Sequence, residues 1–435
     1  MDEELIEPFR GRLDAVVRPP GSKSLTNRAL VCAALAEGTT ELTGALYADD
    51  TEAMLHCVHG LGAGVQLDRA NQRVVVTGVA GSPAGEGALL DARQSGTTSR
   101  FVMPMAALGR STVVLDGAPQ LRTRPMGELI DALESLGAEV APLGEEGHLP
   151  VQIEGAGLRG GAISVRGDVS SQFLSGLLLS APCMDEGLRV EVTTELVSVP
   201  YVRMTVAVME AFGAEVHVAD DHRRISVAPT GYRSVERHRI EPDASAASYF
   251  FAAAALLRGR VRVEGLGRGA LQGDVAFVDV LERMGARGDR QDDAIEVRGT
   301  GVLHGVEVDM SDISDTAQTL AAIAPFADSP TTISGIGFIR AKETDRIAAM
   351  VTELQRLGID AEELPDGLVV RPGEPQPALV HTYDDHRMAM SFALAGTRID
   401  GVTLNDPGCC AKTYPDYFQD LARVTTASPD TAQPA

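Results

Sequence analysis

Lysine is rare in this sequence, and its three positions are the first candidates for chemistry. Of the 38 basic residues only Lys23, Lys342 and Lys412 are lysines, and the other 35 are arginines. Lysine carries a compact charge and can exchange a proton, whereas the guanidinium of arginine is broad and stays protonated. A chain that uses arginine for nearly every cation therefore indicates that its three lysines serve in a site.

The segment Pro20–Arg28 surrounds the first lysine and predicts an anion site. A Pro-Gly turn leads into Ser22, which can cap a helix, and the run Leu25–Ala36 has the composition of a buried helix. Backbone N–H groups at a helix start carry partial positive charge and suit an anion. Ser24 and Arg28 lie four residues apart, on one helix face, and add donors. The alternative for this segment alone is a capped helix with two solvated cations.

Three further segments combine cations with turn residues or acids. Arg122 and Arg124 precede Pro125, which favours bidentate binding of a carboxylate or phosphate, although one of the two arginines could be a surface cation. Residues 340–346 hold three cations and two acids, for which helical salt bridges worth ~0.3–0.5 kcal/mol are the alternative interpretation. Residues 411–414 place Lys412 in a loop that enters a helix.

Composition excludes several classes of protein. The net charge of −23 argues against a nucleic-acid surface and against binding to anionic membranes. No run of 18 apolar residues occurs, and the N-terminus is acidic where a signal peptide would be basic. Five cysteines without a CxxC pair favour a reducing compartment and offer no zinc motif. We therefore expect a cytoplasmic protein without nucleic-acid, membrane or metal partners.

A unit of strand, helix, strand and second helix recurs six times along the chain. Five of the repeats end their first helix at a glycine, and the spacings between these glycines are 75, 76, 72 and 73 residues: Gly62, Gly137, Gly213, Gly285 and Gly358. Glycine is expected there because it adopts the left-handed conformation that ends a helix. The second helices are rich in Ala and Leu, and are predicted to be buried beneath sheets. The pattern indicates an α/β fold.

Polar and charged residues gather where the six buried helices are predicted to begin. Capping explains the Ser, Thr and Asp residues at these places, but it does not explain Lys23, Arg28, Gln172 or the pair His386-Arg387. The charged stretch Tyr232–Pro242 falls between the third and fourth repeats, so the domain boundary is expected there. The final residues, 425–435, are rich in Ser, Pro and Ala and are predicted to be disordered.

Eight motifs together resemble the 5-enolpyruvylshikimate-3-phosphate synthase family from about residue 14 to 423. They are Pro20–Arg28, Ser95–Thr97, Arg122–Pro125, Val169–Phe173, Asp243–Tyr249, Lys342–Arg346, Asp384–Met388 and Ala411–Asp416. The resemblance implies the two-domain enolpyruvyl-transferase fold, an inside-out α/β barrel with three repeats in each domain. It implies a first domain at residues 21–241 and a second formed by residues 1–20 and 242–424, closing on the substrates.

The resemblance also implies the reaction and its residues. The family transfers the enolpyruvyl group of phosphoenolpyruvate to the 5-hydroxyl of shikimate 3-phosphate, without a metal or cofactor, in the pathway to chorismate and the aromatic amino acids. Matching assigns acid–base roles to Asp315, Glu343 and Lys23. The residues matched to phosphoenolpyruvate are Lys23, Gln94, Gly96, Arg124, Gln172, Arg346, Arg387 and Lys412. Those matched to shikimate 3-phosphate are Lys23, Ser24, Arg28, Ser170, Ser171, Gln172, Ser198, Tyr201, Asp315 and Lys342.

Two positions depart from the family pattern, and two other functions compete. Gln94 and Phe338 stand where the family usually has Asn, and Phe338 has no polar group for the shikimate phosphate. The rival enzyme is the UDP-N-acetylglucosamine enolpyruvyl transferase, whose family uses a Cys in the loop matched by residues 121–124, where this chain has none. A non-catalytic repeat scaffold would have its cations scattered over the repeats, whereas here they lie at the repeat starts. We expect a monomeric enzyme that glyphosate inhibits at the phosphoenolpyruvate site, since Gly96 leaves room.

Overall fold

The chain folds into small sheets packed on helices, in two compact units. A computed structural model of the protein describes residues 3–168 and 170–426. One unit comprises residues 21–241 and is called here the continuous unit. The other, the split unit, is formed by the chain up to Pro20 and from Pro242 onward.

Thirteen α-helices occur in the described residues. Six of them, the second helices of the repeats, are buried along nearly their whole length, whereas most of the others bury one face. The bounds of all thirteen are α1 (Lys23–Leu35), α2 (Asp49–Gly60), α3 (Gly96–Ala107), α4 (Pro119–Arg122), α5 (Gly127–Ser135), α6 (Ser171–Ser180), α7 (Val199–Ala211), α8 (Ala244–Leu256), α9 (Phe277–Arg283), α10 (Ala317–Ile323), α11 (Arg346–Arg356), α12 (His386–Gly396) and α13 (Tyr417–Thr426).

The same ranges contain 23 short strands, most of which alternate buried and exposed residues. Their bounds are β1 (Glu4–Leu5), β2 (Asp14–Val17), β3 (Thr39–Thr43), β4 (Gly64–Asp68), β5 (Arg73–Thr77), β6 (Leu89–Asp91), β7 (Thr112–Asp116), β8 (Glu139–Pro142), β9 (Val151–Glu154), β10 (Gly161–Val165), β11 (Leu188–Val192), β12 (Val216–Val218), β13 (Arg224–Val227), β14 (Arg237–Arg239), β15 (Arg260–Glu264), β16 (Arg287–Arg290), β17 (Ala294–Arg298), β18 (Glu307–Asp309), β19 (Thr331–Ser334), β20 (Ala361–Leu364), β21 (Gly367–Val370), β22 (Ala378–Val380) and β23 (Val402–Leu404).

The described strands form six sheets, which confirms the predicted α/β fold with six repeats. Five sheets share one pattern, a parallel pair followed by two antiparallel strands: β14-β3-β5-β4, β6-β7-β9-β8, β10-β11-β13-β12, β2-β15-β17-β16 and β18-β19-β21-β20. The sixth, β1-β23-β22, has three strands. None of these sheets closes into a barrel, because three or four strands are too few to curl round on themselves.

Two sheets take their first strand from a distant part of the chain. In the split unit, β2 pairs in parallel with β15, so that Asp14 lies opposite Arg260. In the continuous unit, β14 pairs in parallel with β3, so that Arg237 lies opposite Glu41. The stretch Tyr232–Pro242, where the domain boundary was expected, therefore contains a strand, Arg237–Arg239. Three residues at the edge of a sheet are too few to show a period in the sequence.

The helix ends confirm the repeat that was predicted from the glycines. All five predicted end-glycines are left-handed, with φ of 98°, 99°, 85°, 103° and 80°: Gly62, Gly137, Gly213, Gly285 and Gly358. They follow α2, α5, α7, α9 and α11, where a side chain at Cβ would be strained. The repeat could therefore be predicted from the preference for glycine at helix ends.

The second helix of each repeat lies in the core, as predicted. All thirteen residues of α8 are buried, and only Lys23 and Ser24 of α1 are partly exposed. The tail predicted to be disordered, residues 425–435, overlaps the end of α13. Thr425 and Thr426 are the last two residues of that helix, so the prediction is wrong for them. Residues 427–435 lie outside the described residues. None of the described helices has the length and apolar character that spanning a bilayer requires.

Candidate functional site

The first lysine lies at the start of α1, in the continuous unit, beside a buried acid. Ser22 caps the helix by accepting a hydrogen bond from the backbone N–H of Leu25. The Nζ atom of Lys23 lies 3.3 Å from Oδ2 of Asp50, whose side chain is 3% exposed. Thr98 of α3 donates its hydroxyl to the backbone carbonyl of Asp50 at 3.1 Å. The lysine is therefore held by an acid that the neighbouring repeat helps to fix.

Arg28 lies one turn further along α1 and is almost completely buried. Its Nε donates to Thr205 at 2.8 Å, and its terminal nitrogens donate to the backbone carbonyls of Ser24 and Tyr201 at 2.9 and 3.2 Å. Its guanidinium lies 5.2 Å from the centre of the Phe101 ring. Burial lowers the pKa of Arg28 to about 10. These partners are neutral, so an anionic ligand would compensate a cation that burial has stripped of water.

Two more arginines meet beside Gly96, at the start of α3. A Cβ atom placed on Gly96 would lie 2.4 Å from one terminal nitrogen of Arg100 and 2.8 Å from one of Arg124. Arg100 donates to Oε1 of Gln172 at 3.0 Å, which places the start of α6 beside that of α3. Arg122 instead pairs with Asp116 at 2.7 Å and is about half exposed. Of the two arginines before Pro125, Arg124 is therefore the buried one and Arg122 the surface cation.

The remaining candidates of the continuous unit also lie at helix starts. Ser170 caps α6 by accepting the N–H of Gln172 at 3.2 Å, and Ser171 is the first residue of that helix. Ser198 precedes α7 with a left-handed φ of 56°, in a buried position. Gln94 is half-buried in the turn before α3. The continuous unit thus places four cations, Lys23, Arg28, Arg100 and Arg124, in or next to the first turns of its buried helices, where backbone N–H groups also favour an anion.

The split unit holds a second cluster, centred on Arg346 at the start of α11. This guanidinium is 2% exposed and binds three carboxylates: Asp385 at 2.7 Å, Glu343 at 2.8 Å and Asp315 at 3.3 Å. Burial alone would lower the pKa of Arg346, but the three carboxylates outweigh burial and raise it. One side chain therefore fixes the positions of three acids relative to one another.

Arg387 and Lys412 complete this cluster. A terminal nitrogen of Arg387 lies 2.7 Å from Oδ2 of Asp315, and the other donates to the backbone carbonyl of Asp315 at 3.0 Å. The Nζ atom of Lys412 lies 3.4 Å from Oε1 of Glu343, in a side chain that is 6% exposed. Three cations and three carboxylates are thus interlocked, and Asp315 and Glu343 keep partial contact with solvent. Such charges are held ready for a substrate without reorganisation.

A buried acid, Asp274, lies close to this cluster. It accepts a hydrogen bond from the hydroxyl of Ser245, in the first turn of α8. Burial, together with the nearby charge of Asp315, raises the pKa of Asp274 to about 7. A carboxyl in this environment holds its proton at a pH where an exposed aspartate would be ionised.

Lys342 follows the 3₁₀ helix Gly337–Ala341 and directly precedes Glu343 in the sequence. Its Nζ atom lies 5.8 Å from the centre of the Phe338 ring. The structure therefore brings Asp315, Glu343, Arg346, Arg387 and Lys412 together, whereas Lys342 occupies a neighbouring position on the segment that precedes α11.

Some site residues were missed by the sequence interpretation. Asp50, Arg100 and Asp385 are buried charged groups that hold Lys23, Gln172 and Arg346. Asp385 belongs to a motif that the sequence did mark, because it caps α12 by accepting the N–H of Arg387. The partner of Asp50 is 27 residues away in sequence, so no local pattern could have revealed the pair.

Two cavities of the continuous unit lie away from these residues. They have volumes of about 380 and 630 Å³, lie along β10 and contain none of the predicted site residues. In the described residues, no group of three or more His, Cys, Asp or Glu side chains is arranged to hold a metal ion. Each unit therefore has its own cluster of candidate residues at its helix starts.

Comparison with known proteins gives one consistent result. The family model described as EPSP synthase (3-phosphoshikimate 1-carboxyvinyltransferase) matches residues 9–421. The 3-phosphoshikimate 1-carboxyvinyltransferase of Nostoc punctiforme is 46% identical over 418 residues, which cover 96% of this chain and 98% of the relative. That of Cupriavidus taiwanensis is 47% identical over 425 residues, with 95% and 98% covered. The EPSP synthase structure from Acinetobacter baumannii has a TM-score of 0.81 at 26% identity and covers 98% of both chains.

Proposed function

The chain belongs to the EPSP synthase family, and we propose that its two helix-start clusters carry out that family's reaction. The reaction is the transfer of the enolpyruvyl group of phosphoenolpyruvate to the 5-hydroxyl of shikimate 3-phosphate, with release of phosphate. It is the enolpyruvyl-transfer step of the shikimate pathway. The observation that carries the assignment of residues is the interlocked cluster around Arg346, because it presents two partly exposed carboxylates among fixed cations.

Asp315 and Glu343 supply the acid–base chemistry. Addition forms a C–O bond between the 5-hydroxyl oxygen and C2 of phosphoenolpyruvate, while the methylene carbon gains a proton and the hydroxyl loses one. Elimination breaks the C–O bond to phosphate and removes a proton from the methyl group, which restores the double bond. Asp315 acts as the base at the 5-hydroxyl, and Glu343 delivers and removes the proton at the methylene carbon. Lys23 assists as an acid while it binds both substrates.

Arg346 sets the geometry of this pair. Its guanidinium donates to Glu343 at 2.8 Å and to Asp315 at 3.3 Å, so the two acids cannot move independently. Lys412 holds the other oxygen of Glu343, and Arg387 holds the other oxygen of Asp315. Preorganisation of this kind lowers the barrier because the groups need no rearrangement when charge moves in the transition state.

Both clusters contribute to binding the two anionic substrates. Cations and amide groups bind the carboxylate and phosphate of phosphoenolpyruvate, from Lys23, Gln94, Gly96, Arg124, Gln172, Arg346, Arg387 and Lys412. Hydroxyl groups and buried cations bind shikimate 3-phosphate, from Lys23, Ser24, Arg28, Ser170, Ser171, Gln172, Ser198, Tyr201, Asp315 and Lys342. The desolvated guanidinium of Arg28, whose hydrogen-bond partners are neutral, supports this assignment.

We further propose that the enzyme works as a monomer in the cytoplasm and that glyphosate competes with phosphoenolpyruvate. The five cysteines are free thiols, which is compatible with a reducing compartment. Sedimentation of the purified protein would test the monomer, and fractionation of the source cells would test the compartment.

One assay tests the function. The purified protein should release phosphate from phosphoenolpyruvate only when shikimate 3-phosphate is present. Release that depends instead on UDP-N-acetylglucosamine would support the rival transferase, which the family match does not favour. No release with either acceptor would leave the scaffold hypothesis. The variants Asp315→Asn and Glu343→Gln should each reduce turnover by more than ~10²-fold, since general acid–base catalysis contributes about that much.

A further inference from the structure

The segment before α11 contains two cations with different surroundings. Arg340 lies inside the 3₁₀ helix Gly337–Ala341, and Lys342 follows its end. We propose that Phe338 positions the ammonium group of Lys342 for shikimate 3-phosphate, whereas Arg340 is a structural cation that does not bind it. This inference rests on the proposed function, because it concerns how the same site recognises its acceptor.

The contact between Phe338 and Lys342 is the first observation. The ring is partly buried and packs against the hydrophobic core of the split unit, which fixes its orientation. The Nζ atom of Lys342 lies 5.8 Å from the ring centre, within the range in which an aromatic face attracts a cation. A fixed ring therefore restricts where a long, flexible side chain places its charge.

The second observation concerns Arg340. One of its terminal nitrogens donates to both oxygens of Asp345, at 3.0 and 2.8 Å, and also to Glu363 at 3.0 Å. The other donates to the backbone carbonyl of Leu364 at 3.0 Å. The hydrogen bond to Asp345 raises the pKa of Arg340 further above its ordinary value. A phosphate would have to displace two carboxylates to reach this guanidinium.

The role of Asp345 explains why Arg340 is held in this way. Asp345 caps α11 by accepting the N–H of Ala348 at 3.1 Å, and α11 begins with the central residue of the acid cluster, Arg346. Arg340 thus ties the helix cap to Glu363 of β20. The two cations therefore have different roles. Arg340 anchors the start of α11, and Lys342, positioned by Phe338, binds the anionic acceptor.

The test compares three variants of the full-length enzyme. Phe338→Leu keeps an apolar side chain against the core but removes the ring face, and should raise the KM for shikimate 3-phosphate about fivefold. The kcat and the KM for phosphoenolpyruvate should stay within twofold of the wild type. Phe338→Tyr retains the ring and should restore the wild-type KM. Arg340→Gln should lower the melting temperature and leave that KM within twofold.

A double-mutant cycle separates positioning from a general structural effect. In the background of Lys342→Met, the further change Phe338→Leu should leave the KM for shikimate 3-phosphate unaltered, because the ring acts through the ammonium group. A fivefold increase in that background as well would overturn the inference, as would a wild-type KM for Phe338→Leu alone. A tenfold increase in KM for Arg340→Gln would assign the phosphate to Arg340 instead. A wild-type enzyme that released no phosphate in the presence of shikimate 3-phosphate would instead refute the proposed function.

Discussion

Replacement of Lys412 by arginine tests whether the chain keeps lysine for a chemical reason. The Nζ atom of Lys412 lies 3.4 Å from Oε1 of Glu343, and the side chain is 6% exposed. An arginine would preserve the positive charge. Its planar guanidinium, however, would present two parallel N–H groups to the same carboxylate. Glu343 would then be held in its ionised form by a bidentate pair, and could not exchange a proton with the substrate as readily.

The size of the effect follows from the strength of that pair. A hydrogen bond to a charged group contributes about 1.5–3 kcal/mol, and the new pair must weaken whenever Glu343 takes up a proton. A barrier raised by roughly 2.7 kcal/mol corresponds to a ~10²-fold loss in kcat/KM. Because the charge and the partner are retained, the melting temperature should change little.

The assay is steady-state phosphate release, with thermal unfolding measured on the same preparations. The control exchange is Arg423→Lys, since Arg423 is 66% exposed and pairs with Asp420 at 2.9 Å on the surface of α13. It should leave kcat/KM unchanged, because exposed ion pairs contribute little. Activity of Lys412→Arg within threefold of the wild type would refute the argument. A large loss caused equally by the control would show that the assay reports on folding instead.

The other predictions use the same assays. Lys23→Arg should lower kcat/KM by ~10²-fold, because the broad guanidinium cannot reproduce the contact of Lys23 with buried Asp50, and an activity near wild type would contradict this. Gly96→Ala should weaken glyphosate more than phosphoenolpyruvate, because the new methyl group would lie 2.8 Å from Arg124, and an unchanged inhibition constant would show a differently built site. The free energy of unfolding of Asp274→Asn, relative to that of the wild type, should increase as pH rises from 5 to 8. The unfolded chain ionises Asp274 near pH 3.8 and the folded chain only near 7, so in the wild type folding becomes less favourable across that window. A gain in unfolding free energy that is the same at both pH values would exclude this cause.

Short-range rules allowed much of the fold to be predicted from the sequence. Glycine at Gly62 and at its four equivalents has the left-handed φ expected from its lack of a Cβ atom. Ser22, Ser95 and Asp385 cap the helices that they precede, because a side-chain oxygen reaches the N–H two or three residues ahead. These interactions involve neighbours in the chain, so their residue types and spacing can be recognised without knowledge of the packing.

The types of site residue could also be predicted, since a chain with three lysines draws attention to each of them. What the sequence could not decide was which charges meet. Arg122 and Arg124 are equivalent in the sequence, but only Arg124 is buried next to Gly96. The sequence also could not show that Arg340 binds two carboxylates and acts as a structural cation.

Tertiary structure alone decided the long-range partners. Asp50 reaches Lys23 across 27 residues, Thr205 reaches Arg28 across 177, and Asp385 reaches Arg346 across 39. Each of these pairs forms because separate helices pack together and bury their polar ends. A buried charge is stable only with a partner, and which partner it finds depends on how the repeats pack, a property that no local pattern of residues encodes.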